Sequence, residues 1–303
     1  MLYLSIDDAL CCKDIATHVL EVVSFHCDHV AQRRQEGTLT NSSQYVTLHL
    51  QFGPAHFTLT WRLYLKHKVV ARLNRQRAKQ GLPKLTLTKL SGLVEEMLEE
   101  IAPQLPKGCR VYVLVDSWYD SHHLERFIRS HGWHWICATR SNRSLFDRPL
   151  CQWWDHLAHQ RIERISIRSA TRRHVYHTRR VTDRLRRYPD PVIAIISKWD
   201  RRDRHPAYFL CSDTSLSVRT IFKSYGNRWQ AEVDNWFLKE RFGLADYRLH
   251  AAEAILNCHA LVSAAYAFLQ YQRASPLSHR PPGIACTLER SPDRPSPPWP
   301  GKD

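Results

Sequence analysis

Residues 109–121 have the sequence CRVYVLVDSWYDS, an apolar run that ends at the acidic residue Asp116. Uninterrupted apolar residues bounded by polar ones are typical of a strand that is buried on both faces of a sheet. The helical pattern SHHLERFIRSHG follows at 121–132, and a second apolar run, WHWICATR, follows at 133–140. This strand, helix, strand unit predicts an α/β fold.

The first residues of the chain, MLYLSIDDAL, predict another strand. Period-two alternation puts Leu4 and Ile6 on one face of that strand and Ser5 and Asp7 on the other. Acidic residues at the ends of such strands lie where open α/β sheets present ligands. Asp7 is therefore the favoured candidate for a site, with Asp8 as the alternative.

The patterns between these two strands are mixed. A helix is predicted at 12–30, followed by a polar loop through 33–43. Alternating β-branched and aromatic residues at 44–53 and 55–65 predict an antiparallel pair of strands. The helical spacing at 88–105 predicts a helix that stops before a proline.

The chain divides by texture into four segments. Residues 1–140 are expected to form the first part of the core, and 141–213 contain short basic β-like runs that predict a β-rich insertion. Residues 214–273 again have the spacing of helices and are predicted to complete the core. Residues 274–303 contain eight of the chain's 16 prolines, which predicts a disordered tail.

The composition favours a polyanionic partner. The 303-residue chain carries 44 Lys and Arg against 29 Asp and Glu, a formal net charge of +15. This positive charge indicates nucleic acid as the first candidate partner and an acidic membrane as the second. The alternative is a generally basic soluble protein with no such partner. Nine cysteines without regular spacing predict reduced thiols, and no long apolar run or leader is evident, so we expect a cytoplasmic protein with no membrane partner.

A third acidic residue lies in SYGNRWQAEVDNWFLKERFGL, residues 224–244. If this stretch is one helix, four of its residues lie within an arc about 60° wide: Tyr225, Arg228, Glu232 and Lys239. This arc lies next to the most apolar residues of the segment. A buried Glu232 must pair with a cation or bind a metal. For Asp116 the competing interpretation is the N-cap of the helix near Ser121.

Three carboxylates from two strand ends and a helix suit Mg²⁺ or Mn²⁺. A pair of such ions can activate a water and stabilise the leaving oxygen in phosphodiester chemistry. Trp118, Trp229 and Trp236 could stack a base taken out of the duplex, although core packing is the alternative for all three and is favoured for Trp236.

The spacing Y-(2)-R-(3)-E-(6)-K at Tyr225, Arg228, Glu232 and Lys239 resembles the signature of bacterial insertion-sequence transposases with a DDE triad. The segments YLSIDDA, HCDH, VLVDSWY, RWQAE and KERFGL resemble further parts of that family, over residues 1–270. The resemblance implies a ribonuclease-H-like mixed sheet flanked by helices, with a β-rich insertion before the glutamate helix.

The resemblance also implies a reaction. Asp7, Asp116 and Glu232 would hold two divalent ions for hydrolysis at the transposon ends, and the freed 3′-hydroxyl would then join target DNA. By the same resemblance, the DNA-binding residues would be Tyr225, Arg228 and Lys239, which would bind phosphates, and Trp229, which would hold a flipped base. The implied partner is double-stranded DNA, which the protein would bind as a homodimer. When bound to DNA, the protein would be associated with the nucleoid.

Alternatives remain open. The family has a helical DNA-binding segment before the first-aspartate strand, so the chain is expected to be an N-terminally truncated member. A catalytically inactive DNA-binding remnant that modulates a full-length enzyme is the main alternative. A metal-dependent nuclease without strand transfer, and a basic α/β protein whose acids are caps and salt bridges, are the others.

Overall fold

A computed structural model describes residues 1–14, 20–27, 39–168, 173–199 and 206–274. The tail from residue 275 onward and the His-rich segment from residue 28 lie outside the described residues. The disorder predicted for the tail is therefore still a prediction.

The described residues form twelve strands, seven α-helices and a 3₁₀ turn at Ala102–Gln104. The strands are β1 Leu2–Lys13, β2 Ser24–Cys27, β3 Leu39–Phe52, β4 Ala55–Tyr64, β5 Val111–Val115, β6 His134–Thr139, β7 Ser144–Leu145, β8 Arg148–Pro149, β9 Glu163–Arg168, β10 Arg173–Arg184, β11 Pro191–Lys198 and β12 Ala207–Cys211. The helices are α1 His67–Lys79, α2 Leu90–Ile101, α3 His122–Ser130, α4 Leu150–His156, α5 Val218–Gly226, α6 Trp229–Glu240 and α7 Ala252–Ala274.

Ten of these strands share one sheet, in the order β2-β3-β1-β5-β6-β12-β11-β10-β9 with β4 on the outer side of β3. The pairs β1·β5 and β5·β6 are parallel, and the other pairs are antiparallel. The α/β prediction is thus confirmed as a large mixed sheet flanked by helices, consistent with a ribonuclease-H-like domain. The predicted pair at 44–53 and 55–65 is confirmed as β3 and β4.

Helices cover both faces of the sheet. Leu4, Ile6 and Val113 pack under α2 and α3 on one face. Tyr112 and Leu114 pack under α5 on the other. Because period-two alternation fixes these faces, the side chains of β1 that point towards α5 and α6 are the odd-numbered ones, as the sequence predicts.

The helix predicted at 12–30 is wrong where the structure describes it. β1 continues to Lys13, paired with Asn41 of β3, and Ser24–Cys27 form β2. Residues 39–43, predicted as part of a loop, belong to β3. Ladder hydrogen bonds to β3 outweigh the helical spacing of the sequence, because propensity is a weak local preference.

The single helix expected over 224–244 is two helices. α5 ends at Gly226 and α6 begins at Trp229. Arg228 N–H donates to the carbonyl of Tyr225 at 3.0 Å, and Ala231 N–H donates to that of Arg228 at 2.9 Å, so this turn is wound tightly with three-residue spacing. Gly226 and Asn227 are poor helix formers, which favours the break here.

Residues 141–213 contain β7 to β12 and α4. The four long strands of this segment continue the central sheet, because β12 pairs with β6 through Leu210 and Cys137. The segment is therefore joined to the core by backbone hydrogen bonds. Its separation as a domain remains a prediction.

The last described helix, α7, is long and apolar enough to cross a bilayer by length and composition, so the expectation that no such run exists was wrong. On its inner side Tyr266 donates to Asp234 at 2.7 Å, and Gln270 accepts from the Thr58 backbone at 2.9 Å. These polar contacts hold one side of α7 against the domain, while Leu261 and Phe268 on its other side are exposed.

Candidate active site

Asp7 and Asp116 extend adjacent parallel strands in register. Ser5 of β1 pairs with Leu114 of β5, so two further residues along each strand bring Asp7 level with Asp116. Neighbouring strands lie about 5 Å apart, and residues in register share a face. The two aspartates therefore stand side by side at the carboxyl ends of these strands, on the face covered by α5 and α6.

Asp116 is not the cap of the following helix. Ser121 caps α3, accepting from the N–H of Leu124. The carboxylate of Asp116 accepts instead from the N–H of Trp118 at 2.9 Å, within the turn that leaves β5. The cap interpretation of Asp116 is thus wrong.

Asp7 and Asp8 occupy different surroundings because they alternate along β1. The Asp7 carboxylate accepts from Arg228 Nη1 at 2.9 Å and from Asn235 Nδ2 at 2.9 Å. Asp8 accepts from Gln44 Nε2 at 2.9 Å on the neighbouring strand β3. Of the two, Asp7 is the one that contacts the residues of α6.

Arg228 joins the first and third acidic residues of the predicted set. It donates through Nη1 to Asp7 and through Nη2 to Glu232 at 2.5 Å. Glu232 lies in the first turn of α6, where the helix dipole favours a carboxylate. The break between α5 and α6 places Arg228 at the start of the new helix, one turn before Glu232.

Asn235 fixes Asp7 from the other side, and the sequence analysis missed it. It is 4 % exposed, and its Nδ2 lies 2.9 Å from Asp7 Oδ2 and 3.2 Å from the hydroxyl of Thr47. That hydroxyl also lies 3.1 Å from the main-chain oxygen of Asp7. The available signal was spacing, since Asn235 follows Glu232 by three residues and so adjoins it on a helix.

The cluster has more negative charge than Arg228 can balance. Burial and the charges of Asp7 and Asp116 raise the pKa of Asp8 to about 7. Burial also raises the pKa of Glu232 to about 7, with Arg228 opposing and both aspartates adding to the rise. The pKa of Asp116 is raised as well, mainly by burial.

Arg228 itself stays charged. Burial alone would lower its pKa, but Tyr225 and the carboxylates of Asp7, Asp116 and Glu232 outweigh burial and raise it well above the usual value. The same influence shows that Asp116 lies close enough to join the Asp7, Arg228 and Glu232 group electrostatically.

These oxygen donors fit a hard divalent cation, which would relieve the repulsion between the carboxylates. Within the residues that the structure describes, no three His, Cys, Asp or Glu side chains stand close enough to hold one metal ion. Arg228 bonds both Asp7 and Glu232 in this arrangement. The donor chemistry thus fits a metal, while in the present geometry Arg228 bridges two of the carboxylates and offsets part of the negative charge.

The remaining predicted residues have unequal positions. Tyr225 is 6 % exposed and packs on Phe209 with ring centres 5.2 Å apart, so its body belongs to the core. Lys239 is half-buried near Cys11, whose pKa burial raises to about 12 and the lysine partly lowers. Trp229 is half-buried. Trp236 is 40 % exposed, so the core packing favoured for it was wrong.

Behind α6 a second polar group supports the site. Asp234 is fully buried, with His49 and His56 within 3.4 Å of its carboxylate. His49 Nε2 lies 2.9 Å from the hydroxyl of Thr47, the same hydroxyl that contacts Asn235. Polar contacts thus run without interruption from Asp234 to the surroundings of Asp7.

Comparison with known proteins adds a family assignment. A family model described as DDE superfamily endonuclease matches residues 1–188, which contain Asp7 and Asp116 but not Glu232. A search of curated proteins finds no match.

Proposed function

Because the chain belongs to the DDE superfamily endonucleases, we propose that it is a transposase which cuts DNA at transposon ends and joins the freed strand to target DNA. The family indicates a transposase-like nuclease that acts on DNA. Metal dependence, strand transfer and a homodimer on DNA are the finer parts of the proposal. The net charge of +15 supports a nucleic-acid substrate.

One observation carries the assignment of catalytic residues. Asp7 and Asp116 stand level on adjacent parallel strands, and Arg228 ties Asp7 to Glu232. These three carboxylates have donor chemistry for divalent ions and share an excess of negative charge. We therefore assign the catalytic and metal-holding roles to Asp7, Asp116 and Glu232.

Two Mg²⁺ or Mn²⁺ ions, when bound, would supply an activated water and stabilise the leaving 3′-oxygen. The chain's own groups do the positioning. Asn235 donates to the Asp7 carboxylate, Thr47 donates to the main-chain oxygen of Asp7, and Arg228 keeps Glu232 turned towards Asp7. The charge of Arg228 also lowers the repulsion within the cluster before substrate arrives.

Phosphate and base contacts are proposed for the other residues of the predicted set. Lys239 and Trp229 lie on α6 and are partly exposed, so they are suited to contact DNA. Tyr225 is buried, so we expect it to act mainly by holding Arg228, whose charge in turn influences the pKa of Tyr225. The protein would work in the cytoplasm, at the nucleoid.

The test is nicking of supercoiled plasmid DNA in Mn²⁺, which requires no knowledge of the transposon ends. Asp7→Asn, Asp116→Asn and Glu232→Gln should each abolish nicking while Asp246→Asn, a carboxylate outside the cluster, should not. A folded wild-type chain that binds DNA but never nicks it would support an inactive DNA-binding remnant instead. Nicking without any joined product when target DNA is present would reduce the proposal to a nuclease.

A further inference from the structure

A cleft of about 480 Å³ opens beside the turn that carries Asp116. The turn after β5 supplies Trp118, and the residue after β6 is Arg140. Arg186 and Arg187, between β10 and β11, line the cleft from the insertion. The cleft therefore starts at the same sheet edge as the proposed catalytic aspartates and leads away from it.

The arginines of the cleft fall into two kinds. Arg143 is 13 % exposed and is neutralised, with Asp120 at 3.1 Å and Glu125 at 2.5 Å. Arg140, Arg186 and Arg187 are exposed, and none of them forms a salt bridge with a carboxylate that the structure describes. Arg143 is thus a structural support, whereas the other three present uncompensated charge to the cleft.

Trp118 adds a stacking surface to this charge. It is 49 % exposed, although large aromatic side chains are costly to leave in water. The guanidinium of Arg140 lies 5.7 Å from the centre of its ring, a cation–π contact that fixes both groups at the cleft wall. A half-exposed indole next to arginines is the combination that single-stranded nucleic acid binds, by stacking and by phosphate contacts.

We propose that this cleft binds the DNA strand next to the scissile phosphate, with one unpaired base stacked on Trp118 and the flanking phosphates held by Arg140, Arg186 and Arg187. The inference rests on the proposed function, since it extends the same sheet edge that holds Asp116. It assigns a binding site to residues that lie outside the Tyr225 to Lys239 region.

The occupant is a nucleotide strand rather than a lone anion, because the cleft combines several separated charges with an aromatic wall. A small anion would be satisfied by the arginines alone and would leave Trp118 without a role. A cleft built for an acidic peptide would not bind DNA with an unpaired base more tightly than a blunt duplex. The experiment below distinguishes these ligands by varying the base and the charge separately.

The test is DNA binding by fluorescence anisotropy in EDTA, so that it does not depend on metal or cleavage. A blunt duplex is compared with the same duplex carrying a short single-stranded 3′ extension. Trp118→Ala should weaken binding of the extended duplex by about tenfold, the size of one base–aromatic stack, and leave the blunt duplex nearly unchanged. Trp118→Phe, which keeps an aromatic face, should retain most of the preference.

The charge is tested by the double variant Arg186→Ala, Arg187→Ala. Each lost phosphate contact lowers the slope of log affinity against log salt by about 0.9, so the double variant should lose about 2. The matched control is Arg75→Ala, Lys79→Ala on α1, which removes the same charge from exposed positions that do not line the cleft and should keep the wild-type slope.

A wild-type slope in the cleft variant, or an equal loss on both DNAs for Trp118→Ala, would overturn the inference. Its failure and that of the proposed function are separable. If the cleft variants bind DNA less tightly but the wild type never nicks it, the cleft site stands and the proposed enzymatic function fails. If the wild type nicks DNA but the cleft variants bind it as the wild type does, only the cleft site fails. Asp116→Asn should bind the extended duplex at least as tightly as wild type in EDTA.

Discussion

Replacing Arg228 by Gln removes the cation that the structure places between Asp7 and Glu232. Arg228 and Asp7 are each 13 % exposed and Glu232 is 30 % exposed, so water screens their charges only in part. Removing one partner of a buried ion pair costs about 3–5 kcal/mol, because the remaining charge is left uncompensated. We take about 3 kcal/mol at pH 8 as the expected loss in the free energy of unfolding.

The cost must fall at lower pH. Glu232 and Asp8 have pKa values of about 7, so at pH 5.5 both are largely protonated and Arg228 has less charge to neutralise. What remains is mainly the charge-assisted hydrogen bond to Asp7, worth about 1.5 kcal/mol. The loss should therefore drop from about 3 to about 1.5 kcal/mol between pH 8 and pH 5.5.

Urea denaturation in EDTA at the two pH values measures this difference. The control is Arg62→Gln, an arginine that is 31 % exposed and pairs with the half-exposed Glu100 on the surface. An exposed pair is worth less than about 1 kcal/mol, with little change over this pH range. A loss for Arg228→Gln that is the same at both pH values, or no larger than that of the control, would refute the reasoning.

Three further outcomes follow from the same site. Because folding raises the pKa of Asp8 and Glu232 to about 7, the metal-free protein should lose stability as pH rises from about 4 through 7. Mn²⁺ should therefore raise Tm more at pH 8 than at pH 5.5. Thermal scans that show equal Tm shifts at the two pH values would contradict this. Asn235→Ala should weaken Mn²⁺ affinity by about 10–100-fold in calorimetry, as loss of a group that orients a ligand does, whereas the exposed Asn142→Ala should leave it unchanged. Burial would raise the pKa of Asp234, but its histidine partners lower it, so wild-type stability should fall as pH drops below about 4. Urea titrations should show that Asp234→Asn reduces this loss of stability at acid pH. The same loss in the variant as in the wild type would rule out this role.

Local patterns predicted much of this architecture. The apolar run before Asp116 and the alternation around Asp7 depend only on backbone periodicity, so they gave the strands and the faces correctly. The register of β1 against β5 then follows from burying both apolar faces, since a slip by one residue would turn Asp7 to the other side.

Other features depend on partners distant in the sequence. The helix predicted at 12–30 does not form where the structure describes these residues, because they pair with β3. No local pattern reveals this pairing. The break at Gly226 and Asn227 was not predicted, yet it sets where Arg228 stands. Asn235 carries no chemical signal alone, because an amide in a helix becomes informative only when Asp7 is known to face it.

The family model covers the two aspartates but stops before Glu232, so the third acidic residue depends most on the structure. Its place in the site follows from its bond to Arg228 and from the charges of Asp7 and Asp116, which add to the rise that burial causes in its pKa. The central claim is therefore that Glu232 acts together with Asp7 and Asp116 as one ligand set.

Calorimetric titration of Mn²⁺ into the wild-type chain, Asp116→Asn and Glu232→Gln tests that claim most directly. It needs neither the transposon ends nor turnover, and far-ultraviolet circular dichroism confirms that each variant is folded. We predict that the wild type binds Mn²⁺ and that both variants lose this binding. Binding that survives Glu232→Gln unchanged, or a folded wild type that binds no Mn²⁺ even with duplex DNA present, would contradict the account.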